Sequence, residues 1–138
     1  MVAGALDIFF PYKATTAGIT VRVSVSYLDD QSEPAKRRWF WAYHIRIENN
    51  GAAPVQLMTR RWIITDAHGQ RHRVEGEGVI GEQPVIAPGE SYDYVSGCPL
   101  ETSRGTMEGA YRMAGHGGGL MEVAIPRFDL IGPAAADV

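Results

Sequence analysis

Gly76, Gly78 and Gly81 form a G-x-G-x-x-G pattern, the spacing in this chain that most directly suggests a chemistry. Such glycines let a backbone turn tightly and approach a pyrophosphate closely. In a dinucleotide-binding fold, a helix opens on the motif and its N-terminal N–H groups hold the phosphates. No helix can follow here. Gln83-Pro84 comes at once and Pro88-Gly89 soon after, and proline costs about 3 kcal/mol inside a helix. A Rossmann unit is therefore excluded, which leaves a glycine-rich loop between strands. Two uses remain for it. The amides of Gly76, Gly78 and Gly81 could hold a phosphate, pyrophosphate or nucleotide, with Arg60 or Arg61 as counter-charge. Alternatively the glycines serve positive φ and a sharp bend, and apolar Val79 and Ile80 offer a protein contact surface. The second use is the one expected, because Glu77 and Glu82 flank the loop and repel phosphate.

Other reactive side chains group less well. Of the four histidines, His44, His68, His72 and His116, the closest-spaced pair, His68 and His72, would lie about 13 Å apart along a strand, too far to share an ion. Glu75, Glu77 and Glu82 are oxygen donors suited to Mg2+, but they read better as a solvated face, and no metal site is expected. No serine sits in a nucleophile elbow. Cys98, the only cysteine, is followed by Pro99 rather than placed at a helix N-terminus. The reading is a protein that is not an enzyme and needs no cofactor.

Bulk properties narrow the class further. The 138 residues fit one domain large enough to bury a core without staples. A net charge of -3 and a pI near 5.8 argue against a nucleic-acid binder. One cysteine allows no internal disulfide, which suits a reducing compartment. The start of the chain lacks a signal-peptide pattern, and no apolar run approaches the ~20 residues that span a bilayer. The expected location is the cytoplasm, without direct membrane insertion.

The elements that must position the loop read as strands. Residues 19–27 alternate strictly, with Ile19, Val21, Val23, Val25 and Tyr27 on one face; residues 38–49 place Trp39, Trp41, Tyr43, Ile45 and Ile47 together. These two half-buried strands supply the predicted core, while residues 1–17 lack a period and are expected to dock on a sheet edge. Asn49-Asn50-Gly51 has the chemistry of a tight, positive-φ turn. From Val55 to Asp66 the alternation slips phase, which predicts a β-bulge near Thr59 to Arg61. Strands continue at 70–77, 91–98, 106–113 and 120–130, the inward face of 91–98 being undecided. Ala87-Pro88-Gly89-Glu90 suits a type II turn, and Pro126 an edge or a bulge. The prediction is an all-β antiparallel sandwich of about seven strands, immunoglobulin or fibronectin type III-like, over residues 6–131 with flexible tails at 1–5 and 132–138.

Taken together, several stretches resemble the ApaG family: Gly18-Ile19-Thr20-Val21, Tyr43 to Asn49, Val55 to Asp66, the glycine loop through Gly89, Thr106 to Met113, and Ile125-Pro126-Arg127-Phe128. Departures are local, at Ser103-Arg104 and Leu120-Met121. The resemblance implies a fibronectin type III-like sandwich. Bacterial relatives are associated by name with cobalt resistance and magnesium efflux, and related domains in larger eukaryotic proteins, F-box proteins among them, look like protein-interaction modules. The resemblance thus implies a non-enzymatic interaction or regulatory module linked to Co2+ and Mg2+ homeostasis. Its expected partner is an unidentified protein, with a small phosphate ligand as the alternative. Any part in efflux is indirect, since no segment of the chain reads as membrane-spanning.

Overall fold

The computed structural model describes residues 4–134. After a short helix, α1 (Ala5–Phe9), come nine strands: β1 (Tyr12–Thr16), β2 (Ile19–Tyr27), β3 (Trp39–Asn49), β4 (Val55–Asp66), β5 (Arg71–Glu77), β6 (Val85–Ile86), β7 (Ser91–Leu100), β8 (Arg104–Ala114) and β9 (Leu120–Ile131). They form the expected antiparallel sandwich, with one sheet in the order β1-β2-β3-β7 and the other β5-β4-β8-β9, β6 pairing with β4. No helix among the described residues is long and apolar enough to cross a membrane.

β3 is the most regular element, alternating buried and half-buried over its whole length. Its inward row of Trp39, Trp41, Tyr43, Ile45 and Ile47 is buried together with Ile19, Val21 and Val23 of β2. Val25, expected in the same core, is only half-buried and packs against it. The reason is that β1 pairs with β2 no further than Val23, so β2 beyond that point has no neighbour on one side. Facing β3 from the second sheet are Leu57, Trp62, Tyr111, Met113 and Phe128; the rings of Tyr43, Trp62 and Phe128 lie 5.3 to 5.9 Å apart, within the range for favourable aromatic pairing.

The bulge in β4 falls at Met58, between Leu57 paired with Met113 and Thr59 paired with Arg112. A second lies at Pro126-Arg127, between Ile125 and Phe128 of β9, so Pro126 occupies a bulged edge as its missing N–H requires. Gly89, at φ +81, and the Glu90 amide bonded to Ala87 O form the predicted type II turn. Asn49-Asn50-Gly51 is not the expected hairpin turn, because β3 and β4 belong to different sheets and neither Asn50 nor Gly51 has positive φ. Buried Asn49 instead ties the crossover, its side-chain amide donating to the Ala53 and Ile86 carbonyls at 2.9 Å each.

The N-terminal segment differs in part. Tyr12–Thr16 does line a sheet edge, but α1 lies over the outer face of the first sheet. Asp7 binds Arg22 at 2.7 Å, and Phe10 sits edge-on to His44. With those two residues fixed, Ile8 and Phe9 face outward and are exposed. The expectation of flexible tails falls in part on residues 1–3 and 135–138, which lie outside the described residues. Within them, Gly132 donates to Ser103 O and Pro133 O accepts from Trp39 Nε1 at 2.8 Å.

Candidate functional site

The glycine loop is an excursion from the edge of the second sheet. β5 and β6 both pair with β4, and residues 78–84 bow out between them, opposite the Met58 bulge. Hydrogen bonds to β4 fix its base. The Gly78 amide and the Gln83 side-chain amide both donate to Met58 O, at 2.8 and 3.0 Å, and the Leu57 amide donates to Pro84 O. At the tip, Val79 and Glu82 exchange both backbone bonds, at 2.8 and 2.9 Å, around Ile80 and Gly81. Those two residues have φ +48 and +76, the positive pair of a type I′ turn.

Each glycine of the pattern is required for a different reason. A Cβ on Gly76 would stand 2.8 Å from Arg60 Nη1, so its absence makes room for a guanidinium. Gly78 has φ +62, and a Cβ there would fall 2.1 Å from Glu82 O, which bears out positive φ as its role. Gly81 has positive φ with open space around it. Of the three amides, that of Gly78 is spent on Met58 O, and it is carbonyl oxygens that meet the nearby cation. Arg60 Nη1 donates to Glu77 O at 3.0 Å and to Gly78 O at 2.9 Å.

The bulge is what turns Arg60 inward. With Val55 and Leu57 facing the core, an unbroken strand would point residue 60 outward; one extra residue reverses the phase, so Arg60 and Trp62 share the inner face. Arg61 consequently faces out and pairs with Glu122 at 2.7 Å. Arg60 and Arg61, the alternative counter-charges for a phosphate, thus lie on opposite faces of β4. Val79 and Ile80 also part: Val79 is 1% exposed and belongs to the core, so it is no contact residue, whereas Ile80 is 60% exposed.

Sheet two extends one strand beyond sheet one on this side. Val74 of β5 is in register with Trp62 and shares its face, yet Trp62 is buried and Val74 is 41% exposed, because β7, the last strand of the first sheet, does not reach it. Between β7 and the loop opens a cleft of about 270 Å3, walled by Tyr43, Arg60, Trp62, Ile80, Tyr94 and Ser96. Sequence leaves the face of β7 undecided and does not single out Tyr94 or Ser96; the signal available is that they share one face, at a spacing of two, with Cys98 and Leu100, both buried. Deeper in, the Tyr94 and Tyr111 hydroxyls bond to each other. Burial pushes both phenols up, so they are neutral donors and acceptors at ordinary pH.

The remaining candidates do not converge. Cys98 is buried, and burial raises its thiol to about 11, leaving little thiolate. Glu75 is paired with Arg73 at 2.6 Å. His44 bonds to Asp93 in a charged row on the outer face of the first sheet that continues through Arg46 and Glu48 to Arg22 and Asp7. Among the described residues, no three His, Cys, Asp or Glu side chains gather as metal ligands.

Comparison with known proteins agrees with this architecture. An ApaG domain model matches residues 29–115, which include the bulge, the loop and strands β3 to β8. Protein ApaG of Brucella anthropi is 54% identical over 119 residues, 86% of this chain and 92% of that protein. Protein ApaG of Afipia carboxidovorans is 52% identical over 122 residues, 88% of this chain and 94% of that one. A crystal structure of a Bordetella pertussis protein described as ApaA is similar with a TM-score of 0.81 at 45% identity, covering 83% of this chain and 94% of that one. With the domain model spanning more than half of its length and relatives of this identity matched nearly end to end, the chain belongs to the ApaG domain family.

Proposed function

We propose that this protein is a non-enzymatic interaction module that presents Ile80 to a protein partner, and that its role is regulatory. The observation that carries the reading is the conformation of Ile80. A β-branched residue at positive φ is disfavoured by about 1–2 kcal/mol, and the first position of a type I′ turn normally takes Asn, Asp or Gly. Here it holds an exposed isoleucine, fixed by two backbone bonds beside an uncovered cleft. Strain of this kind persists where the surroundings over-determine it and a use is made of it. An apolar side chain on a rigid tip loses little entropy on contact. The phosphate alternative is weaker, because of the three glycine amides it calls on, that of Gly78 is already engaged by Met58 O, and Glu77 and Glu82 flank the loop.

The ApaG resemblance supports placing that role in divalent-cation homeostasis, exerted through the partner rather than by holding the ion. Calorimetry with MgCl2 or CoCl2 is accordingly expected to show no saturable one-to-one binding tighter than about 10 μM. The interaction reading is tested with Ile80→Asn, which suits the turn better and leaves the fold intact. A partner retained by the immobilised wild type should be lost by the variant, whose denaturant midpoint is unchanged or higher. Equal retention by both proteins would sink the reading.

A further inference from the structure

Among the partly buried arginines, Arg22, Arg46 and Arg61 each pair with a carboxylate, while Arg60 has no acidic partner among the described residues. Its guanidinium lies against Gly76, where any Cβ would collide with it. Nη1 is engaged by the two loop carbonyls; Nε and Nη2 make no hydrogen bond to the described residues. An unpaired cation is thus held in place by the backbone at the wall of an aromatic-lined cleft, with one donor edge unspent.

The cleft also lies between two strand edges, β7 of the first sheet and β5 of the second, neither of which has a neighbour on its outer side among the described residues. A strand added to β7 would extend the first sheet over the exposed inner face of β5 at Val74. Unpaired edges recruit extended peptides through backbone bonds, and pockets for alternate side chains then set the choice. We propose, resting on the interaction reading above, that the partner segment is an extended acidic peptide that pairs along β7 and places one carboxylate on the free Nε and Nη2 edge of Arg60. Flanking apolar residues, two positions away on either side, meet Ile80 and Val74. A carboxylate suits the site better than a phosphate. It carries one charge against one cation, accepts two parallel N–H bonds in plane, and is repelled less by Glu77, which lines the same cleft.

The probe is acetyl-Val-Thr-Glu-Thr-Val-amide, in which alternation puts both valines and the glutamate on one face, with a control in which Gln replaces Glu. Full-length wild-type protein is titrated with each, following the Arg60 Nε–Hε signal and backbone amides of β7 by NMR, and Trp fluorescence as a second signal. The glutamate peptide should shift both signals saturably and bind at least about tenfold more tightly than the glutamine peptide, as a charge-assisted pair predicts, with the advantage shrinking in salt. Equal affinity of the two peptides, or no shift at Arg60, overturns the proposal without any variant having to fold. Sodium phosphate shifting Arg60 at lower concentration than the peptide overturns the choice of carboxylate. Sodium acetate matching the peptide's affinity overturns the extended-chain source. Ile80→Asn separates this inference from the reading beneath it. If both peptides bind the wild type equally and the variant weakens both, the carboxylate assignment fails and the interaction surface stands. If the variant leaves tight glutamate-peptide binding unchanged, the carboxylate site stands and the role of Ile80 fails.

Discussion

The two sides of this sandwich are closed by different means. On one side, β1 and β9 meet: the Ala124 amide donates to Thr16 Oγ1 at 3.2 Å, the Tyr12 ring lies 5.9 Å from Phe128, and Trp41 Nε1 donates to Ile131 O at 3.0 Å. On the other side, β5 and β7 stand apart, and one arginine, a glycine loop and an exposed isoleucine occupy the gap. The first side is joined by side chains bonded across it, with one exception, the buried Tyr27 hydroxyl beside Gly132, which has no hydrogen-bond partner among the described residues. The second leaves an apolar strip, an unpaired cation and two strand edges, which is the composition of a surface awaiting something rather than of a finished core.

If the closed side carries stability and the open side carries contact, substitutions should sort accordingly. The largest effect is expected from Phe128→Ala, which removes a fully buried ring touching Tyr12, Tyr43 and Trp62 and should cost about 3–5 kcal/mol by urea denaturation; a loss under about 1 kcal/mol would break the comparison. Gly78→Ala comes next. At φ +62 and with Glu82 O in the way, the added methyl should cost about 2–3 kcal/mol, and millimolar ATP should leave both midpoints where they were. An ATP-dependent rise in wild type alone would restore the phosphate reading.

Smaller again and opposite in sign, Ile80→Asn should raise stability by about 1 kcal/mol as positive-φ strain is relieved. A destabilised variant would show that Ile80 is held by packing and not kept for contact. The smallest effect belongs to neither side. Asp7, on the outer face, is held below its usual range chiefly by the hydrogen bond from Arg22, with Lys13 assisting. Because the folded value is depressed, its contribution is present above the unfolded value and is lost as pH falls through the folded one. NMR of residues 5–9 should therefore show α1 loosening only in acid below the ordinary carboxylate range, and Asp7→Asn should remove that transition.

Position along a strand is legible wherever one face is buried and the strand is long. Ile19 to Val23 and Trp39 to Ile47 alternate so regularly that their inward sets need no structure to find. The phase slip in β4 likewise reveals a bulge, because period two leaves no other way to bury both Leu57 and Trp62, but it lies at Met58, just before the expected span of Thr59 to Arg61. β1 and β6 are too short to show a period, so sequence does not mark them as strands. Nor does it mark the crossover at Asn49, since turn chemistry does not say which sheet the next strand joins.

The glycine pattern is visible at once, but its meaning is not. Three identical residues serve space, steric approach and φ in turn, and only the neighbours supplied by β4 and by the loop's own return distinguish them. Arg60 and Arg61, or Val79 and Ile80, are adjacent and chemically alike, so composition cannot rank them. A single extra residue at Met58 decides which arginine enters the cleft, and two backbone bonds across a type I′ turn decide which apolar side chain is left in water. What sequence determined here is the period and therefore the core. What only the tertiary structure decided is where the core stops, because that depends on how many strands each sheet brings to the edge.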